Sequence, residues 1–206
     1  MNKIKFVSTL LVTSTALANT AIADHDHKNH NHNYAIPAGI MGAHNHNKGE
    51  WMASYRYNNM FMKGNRNGTD DLTPAQVLAD FPVTPTEMTM EMHMFGLMYG
   101  LTDKITLMAM VPYTFLSMDH INRMGTSFTT ESEGFGDVRF SGNIKLYEKK
   151  ERSILFNAGV SIPTGSVNER DDTPAGSNQK LPYPMQLGSG TFDLMPGITY
   201  TEKKNN

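Results

Sequence analysis

The chain has 206 residues, a formal net charge of −2 and no cysteine. That length suits one domain, the missing cysteine excludes disulfides and thiolate chemistry, and a near-neutral balance with no basic patch excludes nucleic acid as an expected partner. Sixteen methionines are many for this length.

The N-terminus reads as a secretion signal. Lys3 and Lys5 precede an apolar stretch from Phe6 to Leu17, and Ala21-Ile22-Ala23 places small residues where a signal peptidase reads. The apolar stretch is too short to cross a bilayer as a helix. Residues 1–23 are therefore expected to be a cleaved signal peptide, with an uncut anchor as the alternative. Residues 24–50 are polar, rich in His and Asn, and aperiodic, and read as a disordered leader.

From Trp51 the pattern changes to alternation of period two, which belongs to strands whose successive side chains face opposite sides. Six runs carry it: 51–62, 87–100, 104–118, 135–148, 153–163 and 189–200. In the fourth, Val138, Phe140, Ile144 and Leu146 oppose Asp137, Arg139, Ser141, Asn143 and Lys145, and helical spacing would scatter the apolar set among charges. Tyr147 is the misfit, since its parity puts it on the polar face. In the second run, Met88, Met90, Met92, Met94 and Met98 share one face, and Glu87, Glu91 and His93 begin the other. The charged side reads as the interior and the methionines as lipid-facing.

The connections alternate in length. Segments 63–86, 119–134 and 164–188 are long, while 101–103 and 149–152 are tight turns. Outer-membrane barrels pair short periplasmic turns with longer outer loops, and a tilted strand crosses the bilayer in about 9–11 residues. The expected fold is all-β, an antiparallel up-and-down meander of about six transmembrane strands, part of an outer-membrane β-barrel over 51–200 with a tail at 201–206. The chain ends where the next periplasmic turn is expected, so a truncated product, or one that self-associates to close, is anticipated. A soluble periplasmic sandwich could alternate similarly, but would not be expected to alternate its loop lengths.

Three segments carry a family resemblance. Gly134-Phe135-Gly136-Asp137-Val138-Arg139 resembles a glycine-rich strand entry. Gly159-Val160-Ser161-Ile162-Pro163-Thr164-Gly165 resembles a strand ending in Pro-Thr-Gly, and Leu187-Gly188-Ser189-Gly190-Thr191-Phe192-Asp193 a Gly-Ser-Gly entry. Their order resembles exported proteins of the meta-pathway phenol-degradation family, also labelled "transporter". The run Met88 to Met94 is similar to a methionine-rich subgroup. The resemblance implies an outer-membrane barrel that passes small, often hydrophobic molecules, and it brings no catalytic residue.

Two sets of candidate functional residues follow. Arg56, Glu87, Glu91, His93, Asp137, Arg139, Lys145 and Asp193 are expected to line the interior, either tuning passage or pairing among themselves. The His-x-His pairs His25/His27, His30/His32 and His44/His46 can each turn two imidazoles to one ion such as Cu or Zn, or can simply be a hydrophilic spacer. Aligned methionines suit soft ions, but Met is also an apolar filler, and no common metal face is assured between the second and third runs. With no nucleophile elbow, phosphate loop or His-Glu-x-x-His helix, an enzyme is not expected. The expected function is a channel or transporter-like protein for small molecules, its partners being outer-membrane lipid and small hydrophobic solutes or metal ions. The alternative is an exported His/Met-rich, copper-handling protein.

Overall fold

The computed structural model describes residues 45–149 and 152–202. In chain order the strands are β1 (Trp51–Lys63), β2 (Asn65–Asn67), β3 (Asp70–Leu72), β4 (Val83–Thr102), β5 (Ile105–Asn122), β6 (Ser127–Phe135), β7 (Val138–Lys149), β8 (Arg152–Ile162), β9 (Arg170–Thr173), β10 (Gly176–Lys180) and β11 (Asp193–Glu202). A short helix α1 (Pro74–Asp80) precedes β4, and one 3₁₀ turn (Tyr183–Met185) lies between β10 and β11. The main sheet is seven-stranded and antiparallel in the order β1-β4-β5-β7-β8-β11, with β6 also paired to β5. β2–β3 and β9–β10 form separate hairpins. The fold is all-β and a meander, but the sheet is not closed into a barrel: β1 and β11 are its edges.

The six runs read from the alternation all appear as strands of this sheet. β4 and β5 run further toward the long-loop end than expected, and β6 extends them there. The β5–β6 turn is an Asx turn, in which the Asn122 side chain accepts from the N–H groups of Met124 (3.0 Å) and Thr126 (2.9 Å). α1 starts with a capping box between Thr73 and Gln76 and has Pro in its first turn. At the short-turn end Thr102 pairs with Ile105, and the Thr102 hydroxyl accepts the N–H groups of Lys104 and Ile105.

Register assigns the two faces. On one lie Thr106, Met110, Thr114, Leu116 and Met118 of β5, opposite Met88, Met94 and Met98 of β4, and most of these are buried. On the other lie Trp51, Tyr55, Phe95, Leu107, Phe115, Phe140, Ile144 and Ile198, all exposed. We call these the covered and the open face. A bulge between Lys145 and Tyr147 resolves the one parity conflict, since it sets Tyr147 opposite Ile154 on the open face.

Two segments cover the covered face. At the long-loop end, the β8–β11 connection folds back so that Leu181 and the fully buried Met185 pack on Met88, Leu116 and Met118, with Met90 and Leu187 alongside. Full burial of one such side chain contributes about 1.5–3 kcal/mol, and the Ser132 hydroxyl pins the loop by donating to the Met185 carbonyl at 2.7 Å. At the short-turn end, residues 45–50, read from sequence as the end of the leader, dock instead. Gly49 N–H donates to Gly100 O (2.7 Å), Gly100 N–H to Glu50 O (2.9 Å) and His46 N–H to Thr106 Oγ1 (2.8 Å).

Candidate functional site

The site grows from a break in one strand. β6 pairs with β5 up to Tyr113↔Phe135, and β7 resumes at Met110↔Arg139. Two residues of β5 thus oppose three of the other strand, one more than a regular ladder holds, and the backbone kinks at Gly136-Asp137. Pro112, which has no N–H to offer a ladder, lies opposite the kink, where its carbonyl accepts Gly136 N–H at 3.0 Å.

The kink aims Asp137 under the long loop. Asp137 Oδ1 accepts Gly165 N–H at 2.9 Å and Oδ2 accepts Ser189 N–H at 2.8 Å. Thr164 completes the knot: its hydroxyl accepts Val138 N–H (2.9 Å) and donates to Gly136 O (3.1 Å). Gly165 and Gly188 touch so closely that a Cβ on Gly188 would lie 2.3 Å from Gly165 O. The three segments that carry the resemblance therefore meet at one point, and they clamp both ends of the loop to the sheet. Asp137 is 9% exposed.

Between this clamp and the sheet lies a cavity of about 280 Å³. Met92, Met94, Met110 and Pro112 form its floor, Arg139 and Asp137 one side, and Tyr183, Gln186 and Leu187 the loop side. A second cavity of about 70 Å³ lies toward the short turns, among Met94, Met98, Met108, Met110, Arg56 and Gly96. Every methionine of β1, β4 and β5 points to this covered face.

The sequence-derived interior set divides. Arg56 (β1), Arg139 and Lys145 (β7) and Asp193 (β11) share the covered face, and Asp137 lies at the kink beside them. Glu87, Glu91 and His93 do not join them, which corrects the expected orientation of β4. They stand on the open face, where Glu87 pairs with Asp119 and Lys63, and His93 meets Tyr55, Tyr57 and Phe115. The physical reason is that the methionine side, apolar enough for lipid, is taken up by Leu181, Met185 and Leu187 of the loop. The same register decides what was open for the third run: Met108 and Met110 lie on the face of Met88–Met98. Of the histidine candidates, His46 docks beside Thr106 with its ring 3.8 Å from Glu50. His25, His27, His30, His32 and His44 lie outside the described residues. Among the described residues no three His, Asp or Glu side chains gather as a metal site.

His120 was not singled out by the sequence. It is buried on the covered face above the loop core, stacked on Phe128 (5.0 Å between ring centres) and bonded to Thr130 Oγ1 at 3.0 Å. Desolvation lowers its pKa, partly opposed by Asp119.

On the open face the apolar side chains form a belt. In β5 it runs from Ile105 to Phe115, ten steps of about 3.3 Å, or about 25 Å of height at a tilt of about 40°. Rings mark its upper margin without interruption across four strands: Tyr57 and Tyr55 touch His93, His93 touches Phe115, Phe115 touches Tyr113 and Tyr113 touches Phe135. Trp51 and Tyr99, 4.4 Å apart, mark the lower. Above the belt the face carries Asn59, Lys63, Glu87, Ser117, Asp119 and Glu131, with exposed Phe61 an apolar exception on β1. Among the described residues no helix is long and apolar enough to cross a membrane.

The described residues thus form an all-β antiparallel meander with a clamped loop on one face and a ring-bordered apolar belt on the other. The family described as "Putative MetA-pathway of phenol degradation" matches residues 83–206, and the chain belongs to that family. No curated protein matches the chain.

Proposed function

We propose that this protein is exported to the outer membrane and serves there, without catalysis, as part of a β-barrel that passes small molecules. The observation that carries this reading is the open-face belt. Its height of about 25 Å and its aromatic margins suit a lipid bilayer, and a water-exposed sheet has no use for Phe95, Leu107, Phe140, Ile144, Leu194 and Ile198 in one band. The opposite face carries Arg56, Arg139, Lys145 and Asn143, as a wet interior needs. The loop clamped by Asp137 folds onto that interior and narrows it. Passage through a barrel requires that the edges of β1 and β11, which run antiparallel to each other, both gain partners, because unpaired backbone in hydrocarbon costs several kcal/mol per group. With the short turns in the periplasm, the loop holding the clamp lies at the outer side.

The test is fractionation followed by reconstitution. The reading expects the protein in the outer-membrane fraction, with heat-modifiable gel mobility, and swelling of liposomes in small neutral solutes. Recovery in the soluble periplasm, or folded protein that leaves liposomes impermeable, overturns it.

A further inference from the structure

The small cavity near the short turns has a composition that filling a core does not require. Met52, Met98 and Met108 lie side by side in one row across β1, β4 and β5. In the next row, Ser54, Gly96 and Met110, the Ser54 hydroxyl leans over the bare Gly96, where a Cβ would meet it at 2.5 Å, and the short side chains leave a space beside Met110. Met94 closes the space from the row beyond. The result is a space of about 70 Å³ with four thioethers around it, of which Met94, Met98 and Met110 are buried.

Met98 and Met108 are directly opposed, with Cβ atoms about 4.5–5.5 Å apart, and Met110 is diagonal to Met98 at about 7–8 Å, so these three flexible side chains can bring their sulfurs to one point, while Met94, diagonal to Met110, closes the space above them. No carboxylate lines the cavity; its charged neighbour is Arg56. Besides Gly96 its remaining lining is Ser54 and Tyr55, so a hard or divalent cation finds one neutral hydroxyl oxygen and meets the guanidinium. Neutral, polarizable thioethers select a soft ion of single charge, against which the guanidinium repulsion is smallest. We propose that Met98, Met108 and Met110, closed in by Met94, form a binding site for a soft monovalent cation, Cu(I) or its redox-inert analogue Ag(I). The cation binds by coordination alone, with no electron transfer. The row below holds Gly100 and Thr106, and the backbone of His46 is bonded to that Thr106 hydroxyl, so the docked segment 45–50 covers the lower side of the site.

The test uses the full chain folded in detergent micelles, with His25, His27, His30, His32, His44 and His46 replaced by Asn so that imidazoles do not compete. Calorimetric titration with Ag(I) is expected to show one tight site per chain, and X-ray absorption at the silver edge a shell of sulfur alone. M98L/M108L, which keeps volume and apolarity, should weaken binding at least tenfold. M60L/M62L, on the same face further up β1, should leave it unchanged. The absorption measurement needs no variant and decides the matter even if a variant misfolds. Absence of stoichiometric uptake by the six-Asn chain, a nitrogen or oxygen shell, or equal loss in both double variants would overturn the site.

Discussion

Replacing Asp137 by Ala removes the acceptor of two backbone donors at once, those of Gly165 and Ser189. A hydrogen bond to a charged group contributes about 1.5–3 kcal/mol, so two amount to about 3–6 kcal/mol. Because Asp137 retains some exposure (9%), water can reach the freed donors, and the lower end, about 3 kcal/mol, is the expected loss. That cost falls on the loop rather than on the sheet, whose ladders Asp137 does not join. Opening of segment 164–190 should therefore become about a hundredfold more frequent, since 1.4 kcal/mol is a factor of ten. Trypsin reads this directly, because Arg170 and Lys180 lie inside the loop and their cleavage rate follows the open population when reclosing is fast. Asp137→Asn, which keeps one acceptor oxygen, should fall between. Rates within twofold of the parent protein, or equal acceleration after Arg123 in the β5–β6 turn, would refute the clamp.

Gly188→Ala puts a Cβ against the Gly165 carbonyl and should loosen the same loop at least as much as loss of Asp137, read by the same cleavage. His120 is held neutral by burial, so it contributes fully above about pH 6.5 and its contribution is lost as pH falls below that toward its lowered native value. The urea midpoint of the parent protein should therefore drop between pH 7.5 and 5.5 by more than that of His120→Asn; equal drops would refute the assignment.

Most of the sheet was legible because alternation survives in single strands: Val138 to Lys145 and Ile154 to Ile162 place their faces as the structure does. Its inversion in β4 was not legible. There Phe95, Leu97 and Tyr99 oppose Met94 and Met98, both sides are apolar, and only the docking of Leu181 and Met185, some ninety positions later, decides which side is covered. β6 was hidden in a stretch read as loop, although Asn122 and Gly125 carry the turn signal, and Thr73-Pro74 with Gln76 announced α1. Tyr147 needed a bulge that alternation cannot reveal. The three glycine-bearing segments were each visible, but their meeting at Asp137 depends on the fold bringing residues 137, 165 and 189 together.

The chain has a single tryptophan, Trp51, 65% exposed on the open face at the lower margin of the belt. Fluorescence of the protein reconstituted in bilayers of brominated lipid tests the orientation of the sheet without any substitution. The account predicts strong quenching by acyl chains brominated near the headgroup and weak quenching by aqueous iodide. Quenching by iodide with none by brominated lipid would contradict it.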